Sequence, residues 1–187
     1  SSPNDPYFPS QWGLAKMGFP EAWALVPNGK EVVVAVIDTG VDYTHPDLEG
    51  RIWTNPGEIP GNGVDDDSNG YIDDVRGWDL AGTYADSLSD ADNDPLDKDG
   101  HGTHVAGIAA ATTNNGTGIA GLLPRGKLMV LKVQADVTGG ARDTMLIADI
   151  IAAYAYARTN GARIVNCSFG GAAESTLEHE ELTRLKE

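Results

Sequence analysis

Val32-Val33-Val34-Ala35-Val36-Ile37-Asp38-Thr39-Gly40 is an unbroken apolar run, mostly β-branched, that ends in a carboxylate, a hydroxyl and a glycine. It lacks the alternation of a half-exposed strand, so it describes a strand buried on both faces. Such strands belong to parallel sheets, whose crossover connections carry helices. Further along the chain, Lys127–Val133 (KLMVLKV) and Arg163–Ser168 (RIVNCS) are additional strand candidates. Helices are expected over 101–112 (HGTHVAGIAAAT, small and apolar) and over the Ala-rich Arg142–Arg158, where Met145, Ile147, Ile150, Ile151 and Tyr154 lie near one stripe. Another is expected over Ser175–Lys186, with Ser175 as N-cap and Glu178 at the capping-box position. The first 30 residues read as loop, with a short helix near Glu21–Leu25, because five prolines limit helix length there. Strands alternating with helices predict an α/β fold with a parallel sheet. Function in such sheets gathers in loops beyond the carboxyl ends of the strands. Those ends carry Asp38-Thr39-Gly40 and Ser168-Phe169-Gly170-Gly171.

The chain has 187 residues, enough for one domain with a real core. Its net charge of −15 argues against a nucleic-acid surface, which needs clustered Lys and Arg. No apolar run reaches the ~18 residues of a membrane helix, and no basic stretch followed by an apolar core marks a signal peptide. A mature secreted chain would have lost that peptide. The single cysteine, Cys167, excludes an internal disulfide framework and a thiolate zinc cluster; it is expected to be buried and inert.

Most of the charge sits in one place. Residues 58–100 hold 13 acidic residues against Arg76 and Lys98. Carboxylates at that density repel one another unless a counter-charge is present, and calcium takes six to eight oxygen ligands from such loops. Asp65-Asp66-Asp67-Ser68-Asn69-Gly70-Tyr71-Ile72-Asp73 has the D-x-D-x-N-G-x-x-D spacing of an EF-hand-like loop. Asp65, Asp67, Asn69 and Asp73 would supply side chains and Tyr71 a carbonyl. Position 12 is Arg76 rather than Glu, so the motif is incomplete, with Asp73 or Asp74 compensating. Asp79, Asp90, Asp92 and Asp94 form a further, more widely spaced candidate set.

Two segments carry chemistry. Asp38 ends the first strand and is followed by His45-Pro46-Asp47-Leu48, and His101-Gly102-Thr103-His104-Val105-Ala106-Gly107 opens a helix. Zinc is a poor reading of the two histidines, since no HExxH glutamate lies between them. A histidine at a helix start after glycine is better read as an imidazole presented at a cleft. With these motifs the chain resembles the subtilisin-like serine proteases, the subtilases. VIDTGVDYTHPDL carries the family's aspartate motif, HGTHVAGIAA its histidine motif, and IVNCSFGG at 164–171 its substrate-binding strand. The Asn4-Asp5-Pro6 opening, TNNGTGIAG and KLMVLKV match further, and the opening is most similar to thermitase-like members.

The resemblance implies a three-layer α/β sandwich, a mostly parallel sheet flanked by helices, with residues 1–187 forming the N-terminal portion of one peptidase catalytic domain. It implies that His101 is the general base and Asp38 its orienting carboxylate. It also implies that Ser168, Phe169 and Gly170 pair with an extended polypeptide substrate, with Gly139 and Gly140 as the opposing edge. His104 is expected to point into the domain, and Asp97 and Asp99 to belong to the acidic loop. A tight calcium site is implied at Asp5, Asp47, Asn115 and the carbonyls of Thr112, Thr117 and Ile119, giving two or more calcium ions in all. Calcium dependence in turn suggests a secreted, extracellular enzyme.

One element of the pattern does not occur. The family's serine motif, Gly-Thr-Ser-Met-Ala, is not among these residues, and none of the eight serines has its context. The nucleophile and the oxyanion side chain are therefore expected in a C-terminal portion, with an associated C-terminal fragment of the same protease as the expected partner. These 187 residues alone are expected to be inactive, and the competing reading is a calcium-binding fragment or pseudo-protease.

Overall fold

A computed structural model describes residues 2–25, 29–81, 90–136, 145–171 and 175–186. The apolar run forms β1 (Val32–Asp38), and β2 (Gly77–Asp79), β3 (Gly126–Lys132) and β4 (Ile164–Cys167) join it in one parallel sheet of order β2-β3-β1-β4. β1 is thus internal, and Ala35, Val36 and Ile37 are fully buried. Its side chains alternate between two cores. Ala35 and Ile37 join Met129, Leu131 and the helix Ile147–Thr159 on one face. Val36 joins Leu128, Val130 and the helix His101–Ala110 on the other. With the connecting helices numbered in chain order as α1 (Trp12–Lys16), α2 (Phe19–Leu25), α3 (His101–Ala110), α4 (Ile147–Thr159) and α5 (Thr176–Arg184), the layers are α3, the sheet, and α4 backed by α5.

Sequence and structure differ at several elements. α1 and β2 lie where proline and acidic composition mask periodicity. β2 has only three residues, and its place depends on pairing with Val130–Lys132 rather than on local propensity. α4 begins at Ile147, five residues after the predicted start; 142–144 lie outside the described residues. Its buried face is Asp149, Ile150, Ala153, Tyr154, Tyr156 and Ala157, whereas Ile147 is exposed. At α5, Ser175 Oγ accepts from the Glu178 N–H at 3.2 Å, as the capping signal predicts.

Parallel pairing aligns Asp38 with Lys132 at the carboxyl end of the sheet. β1 has β3 on one side and β4 on the other, so connections leave in opposite directions there. That is where an open α/β sheet places its site.

Candidate active site

Asp38 is fully buried, and its Oδ1 accepts the Thr39 N–H at 2.7 Å. The same oxygen lies 2.7 Å from His101 Nδ1. The bond fixes the tautomer: Nδ1–H faces the carboxylate, and Nε2 is left as the basic nitrogen. Hydrogen bonding to Asp38, then its negative charge, raises the imidazole above its ordinary pKa. The imidazole remains half-exposed at 48%.

Two glycines permit this approach. A Cβ on Gly102 would stand 2.1 Å from the Gly40 carbonyl oxygen and 3.0 Å from Asp38 Oδ1. Gly40 has φ +101°, and a Cβ there would stand 2.6 Å from the Pro95 carbonyl oxygen. The start of α3 can therefore lie against the end of β1 only with glycine at both positions.

The first turn of α3 has its free N–H groups satisfied by side chains. Gly102 N donates to Thr39 Oγ1 at 2.8 Å, Thr103 N to Asp97 Oδ2 at 2.9 Å, and His101 N to Asp99 Oδ1 at 3.3 Å. Asp97 also accepts the Thr39 hydroxyl at 2.9 Å and the N–H groups of Asp99 and Gly100. Burial pushes its carboxyl up, but these donated bonds outweigh burial and hold it below the usual carboxylate range. Asp97 is thus the clamp between β1 and α3, not part of the acidic loop. An acidic residue just ahead of a predicted helix was the signal that could have marked it.

His104 departs from expectation. It is exposed, because the helical spacing gives the buried face to Gly102, Ala106 and Ala110.

Beside His101 opens a cavity of about 710 Å³. Ser168, Phe169 and Gly170 line it together with Thr39, His101 and Tyr154. β4 has β1 on one side and, among the described residues, no strand on the other. Cys167 is half-buried, its Sγ 3.6 Å from the Tyr154 hydroxyl, and burial raises its thiol pKa. Gly139 and Gly140 lie outside the described residues.

The carboxylates of Asp5 and Asp47 are 2% and 3% exposed, and neither has a cationic partner among the described residues. Asp5 accepts from the N–H groups of Asn114 and Asn115. Asp47 accepts from Asn115 Nδ2 at 2.9 Å and Ile119 N at 2.8 Å, and its carbonyl accepts Thr112 N. Asn115 Oδ1 in turn accepts Thr117 N at 2.8 Å. The N-terminal arm, the Asp47 turn and the 112–119 loop therefore meet.

In the acidic segment, carboxylate oxygens of Glu58, Asp65 and Asp67 lie within 4.8 Å of one another. Glu58, which the motif did not include, stands where Asp73 was expected. Asp73 instead accepts the N–H groups of Gly61, Asn62 and Gly63, with both of its oxygens engaged. Asn69 donates to Asp67 and Asp74, and accepts from Tyr71 N. The Tyr71 ring packs edge-on against Trp78 and Tyr156, which anchors this loop to the core. Asp79, Asp90, Asp92 and Asp94 do not form a comparable group among the described residues. Asp79 is taken by the buried ammonium of Lys132 at 3.1 Å, Asp92 accepts Asp94 N, and Asp94 accepts the Tyr43 hydroxyl.

Residues 29–184 match the model of the subtilase family. The chain is 37% identical over 171 residues to thermitase of Thermoactinomyces vulgaris, covering 91% of this chain and 48% of that protein. It is 35% identical to subtilisin-like protease 1 of Plasmodium vivax, covering 98% of this chain and 28% of that one. Among solved structures, a protease of Pseudoalteromonas arctica superposes with a TM-score of 0.71 at 27% identity, over all of this chain and 56% of the other. Fervidolysin of Fervidobacterium pennivorans, described as a keratinolytic enzyme related to subtilisin, gives 0.66 at 28% identity, over 93% and 22%. The chain belongs to the subtilase family. It spans about half the length of thermitase and less of the other curated relatives.

Proposed function

We propose that these residues supply the base half of a serine endopeptidase. The observation that carries this is the 2.7 Å contact between His101 Nδ1 and the buried Asp38, in a chain of this family. In the reaction, His101 Nε2 takes the proton of a serine hydroxyl as that oxygen attacks a peptide carbonyl, then delivers it to the leaving amine. Asp38 holds the imidazole in that tautomer and stabilises the imidazolium. Ser168–Gly170 would hold the substrate backbone as an added strand. The serine would come from sequence outside these 187 residues, carried on the same polypeptide or on an associated fragment.

The test is labelling of the protein, as isolated, with a fluorophosphonate, alongside hydrolysis of a protein substrate. Labelling together with turnover that is lost in His101→Ala supports the reading. A well-folded sample that neither labels nor turns over is a calcium-binding relative without catalysis.

The donors fit calcium. Asp5 and Asp47 are buried carboxylates without a cation, and Asn115 with the carbonyls of Thr112, Thr117 and Ile119 completes an all-oxygen set. Glu58, Asp65 and Asp67, with Asn69 and the Tyr71 carbonyl, would hold a second ion. Bound calcium supplies the charge compensation that these carboxylates lack. Secretion accords with this, since extracellular calcium is abundant. No described helix is long and apolar enough to cross a membrane.

A further inference from the structure

At the end of the sheet opposite Asp38, where β1 and β3 begin at Val32 and Gly126, lies a second cavity of about 630 Å³. Its size is that of a small-molecule site. Trp23, Val32 and Leu123 give it apolar lining. Three cations, Lys30, Arg51 and Arg125, line it as well, and no Asp or Glu does among the described residues.

That composition is the reverse of the chain as a whole, where acidic residues outnumber basic ones by 28 to 13. None of the three cations belongs to an ion pair among the described residues. Arg51 is held by neutral acceptors: its Nε donates to Thr112 Oγ1 at 3.0 Å and its Nη1 to the Pro124 carbonyl. Arg125 Nη1 donates to the Gly29 carbonyl at 3.3 Å. These bonds fix the guanidinium of Arg51 without neutralising it and leave it further N–H donors. Burial lowers the Arg51 pKa, and no carboxylate contributes to offset that effect. Thr113, whose Oγ1 is buried without a hydrogen-bond partner, lines the same cavity.

We propose that this cavity binds a carboxylate on an apolar body, the anion against Arg51, Arg125 and Lys30 and the carbon chain against Trp23, Val32 and Leu123. A guanidinium suits this role, because its planar N–H fork matches a carboxylate. The carboxylate could belong to a free small molecule or to the C-terminus of a polypeptide. The site is independent of the peptidase reading, since it shares no lining residue with the cavity at His101.

The experiment is isothermal titration of the protein, as isolated, with hexanoate and hexanol, and with an apolar pentapeptide bearing either a free or an amidated C-terminus. At least one carboxylate is expected to bind about tenfold or more tightly than its neutral counterpart. Hexanoate alone would identify a small-molecule site, and the peptide alone a polypeptide terminus. The double variant Lys30→Gln/Arg125→Gln alters two exposed side chains and should keep the melting temperature while weakening the carboxylate by a similar factor. Equal binding of charged and neutral probes, no binding at millimolar concentration, or unchanged affinity in the folded double variant would each overturn the proposal.

Discussion

Asp97 accepts the hydroxyl of Thr39 at 2.9 Å, so the strand that ends in Asp38 and the helix that begins with His101 are clamped by a residue belonging to neither. The same carboxylate takes N–H groups from Asp99, Gly100 and Thr103. Asp97→Ala should cost about 1–3 kcal/mol, chiefly from unpairing the part-buried donors of Thr39 and Thr103. A thermal melt would measure it. The imidazole signal of His101 should also broaden or shift, as its distance from Asp38 is no longer fixed. An unchanged melt and spectrum would show that the clamp is dispensable.

The pH dependence has two opposite parts. His101 has a raised pKa, so its contribution to stability is complete below about pH 6.5, the unfolded value, and is lost as pH rises through the folded value. Asp97 has a lowered pKa, so its contribution is present above about pH 4 and is lost as pH falls through the folded value. Because the main cause at His101 is Asp38, the His101 titration should move down toward about 6.5 in Asp38→Asn. Proton NMR of the imidazole would follow it. Peptidase activity that depends on neutral His101 should rise with pH through that same titration.

Gly102→Ala places a methyl 2.1 Å from the Gly40 carbonyl oxygen, a backbone atom that cannot swing aside as a side-chain end can. We expect a loss of about 1–3 kcal/mol from overpacking, with the Asp38–His101 contact opened. Denaturant unfolding together with the His101 titration would register both. A variant as stable as the parent would show that β1 and α3 can separate at little cost.

Lys132 is 1% exposed and binds Asp79 at 3.1 Å and Asp136 at 2.8 Å. Replacing it with Met removes the buried ammonium that Asp79 and Asp136 share, which should cost about 3–5 kcal/mol. The double variant Lys132→Met/Asp79→Leu should recover much of that loss, and chemical denaturation of the two variants would decide it.

Removing divalent ions with a chelator should lower the melting temperature markedly, because Asp5 and Asp47 are buried without a cation. An unchanged melting curve in excess chelator would end the calcium reading.

The sheet was legible because β1 and β3 are apolar runs buried on both faces, while the short, part-exposed β4 was marked by its β-branched residues. β2 was not, since three residues held by partner strands leave no periodicity. Asp38 and His101 were readable from local motifs at a strand end and a helix start. Glu58 was not, because it acts through donors distributed over a folded loop rather than through spacing, and Asp97 carried only the weak signal of an acidic residue just ahead of a helix. His104 was misread for a related reason: helical spacing assigns faces relative to a core whose direction the sequence does not state. Asp79 looked like a metal ligand until the fold supplied Lys132.

The internal position of β1 has a consequence for synthesis. Val32 pairs with Gly126, and Val34 with Ile164, so both partner strands emerge from the ribosome about a hundred residues later. At roughly 5–20 residues per second, Val32–Ile37 waits on the order of 5–20 s for its first partner. The run has no charge and no proline, the signature of a segment prone to cross-β aggregation. The strand that organises the finished site is thus the nascent chain's greatest hazard, and production of soluble protein should respond to translation rate and chaperone supply more than to substitutions at the surface.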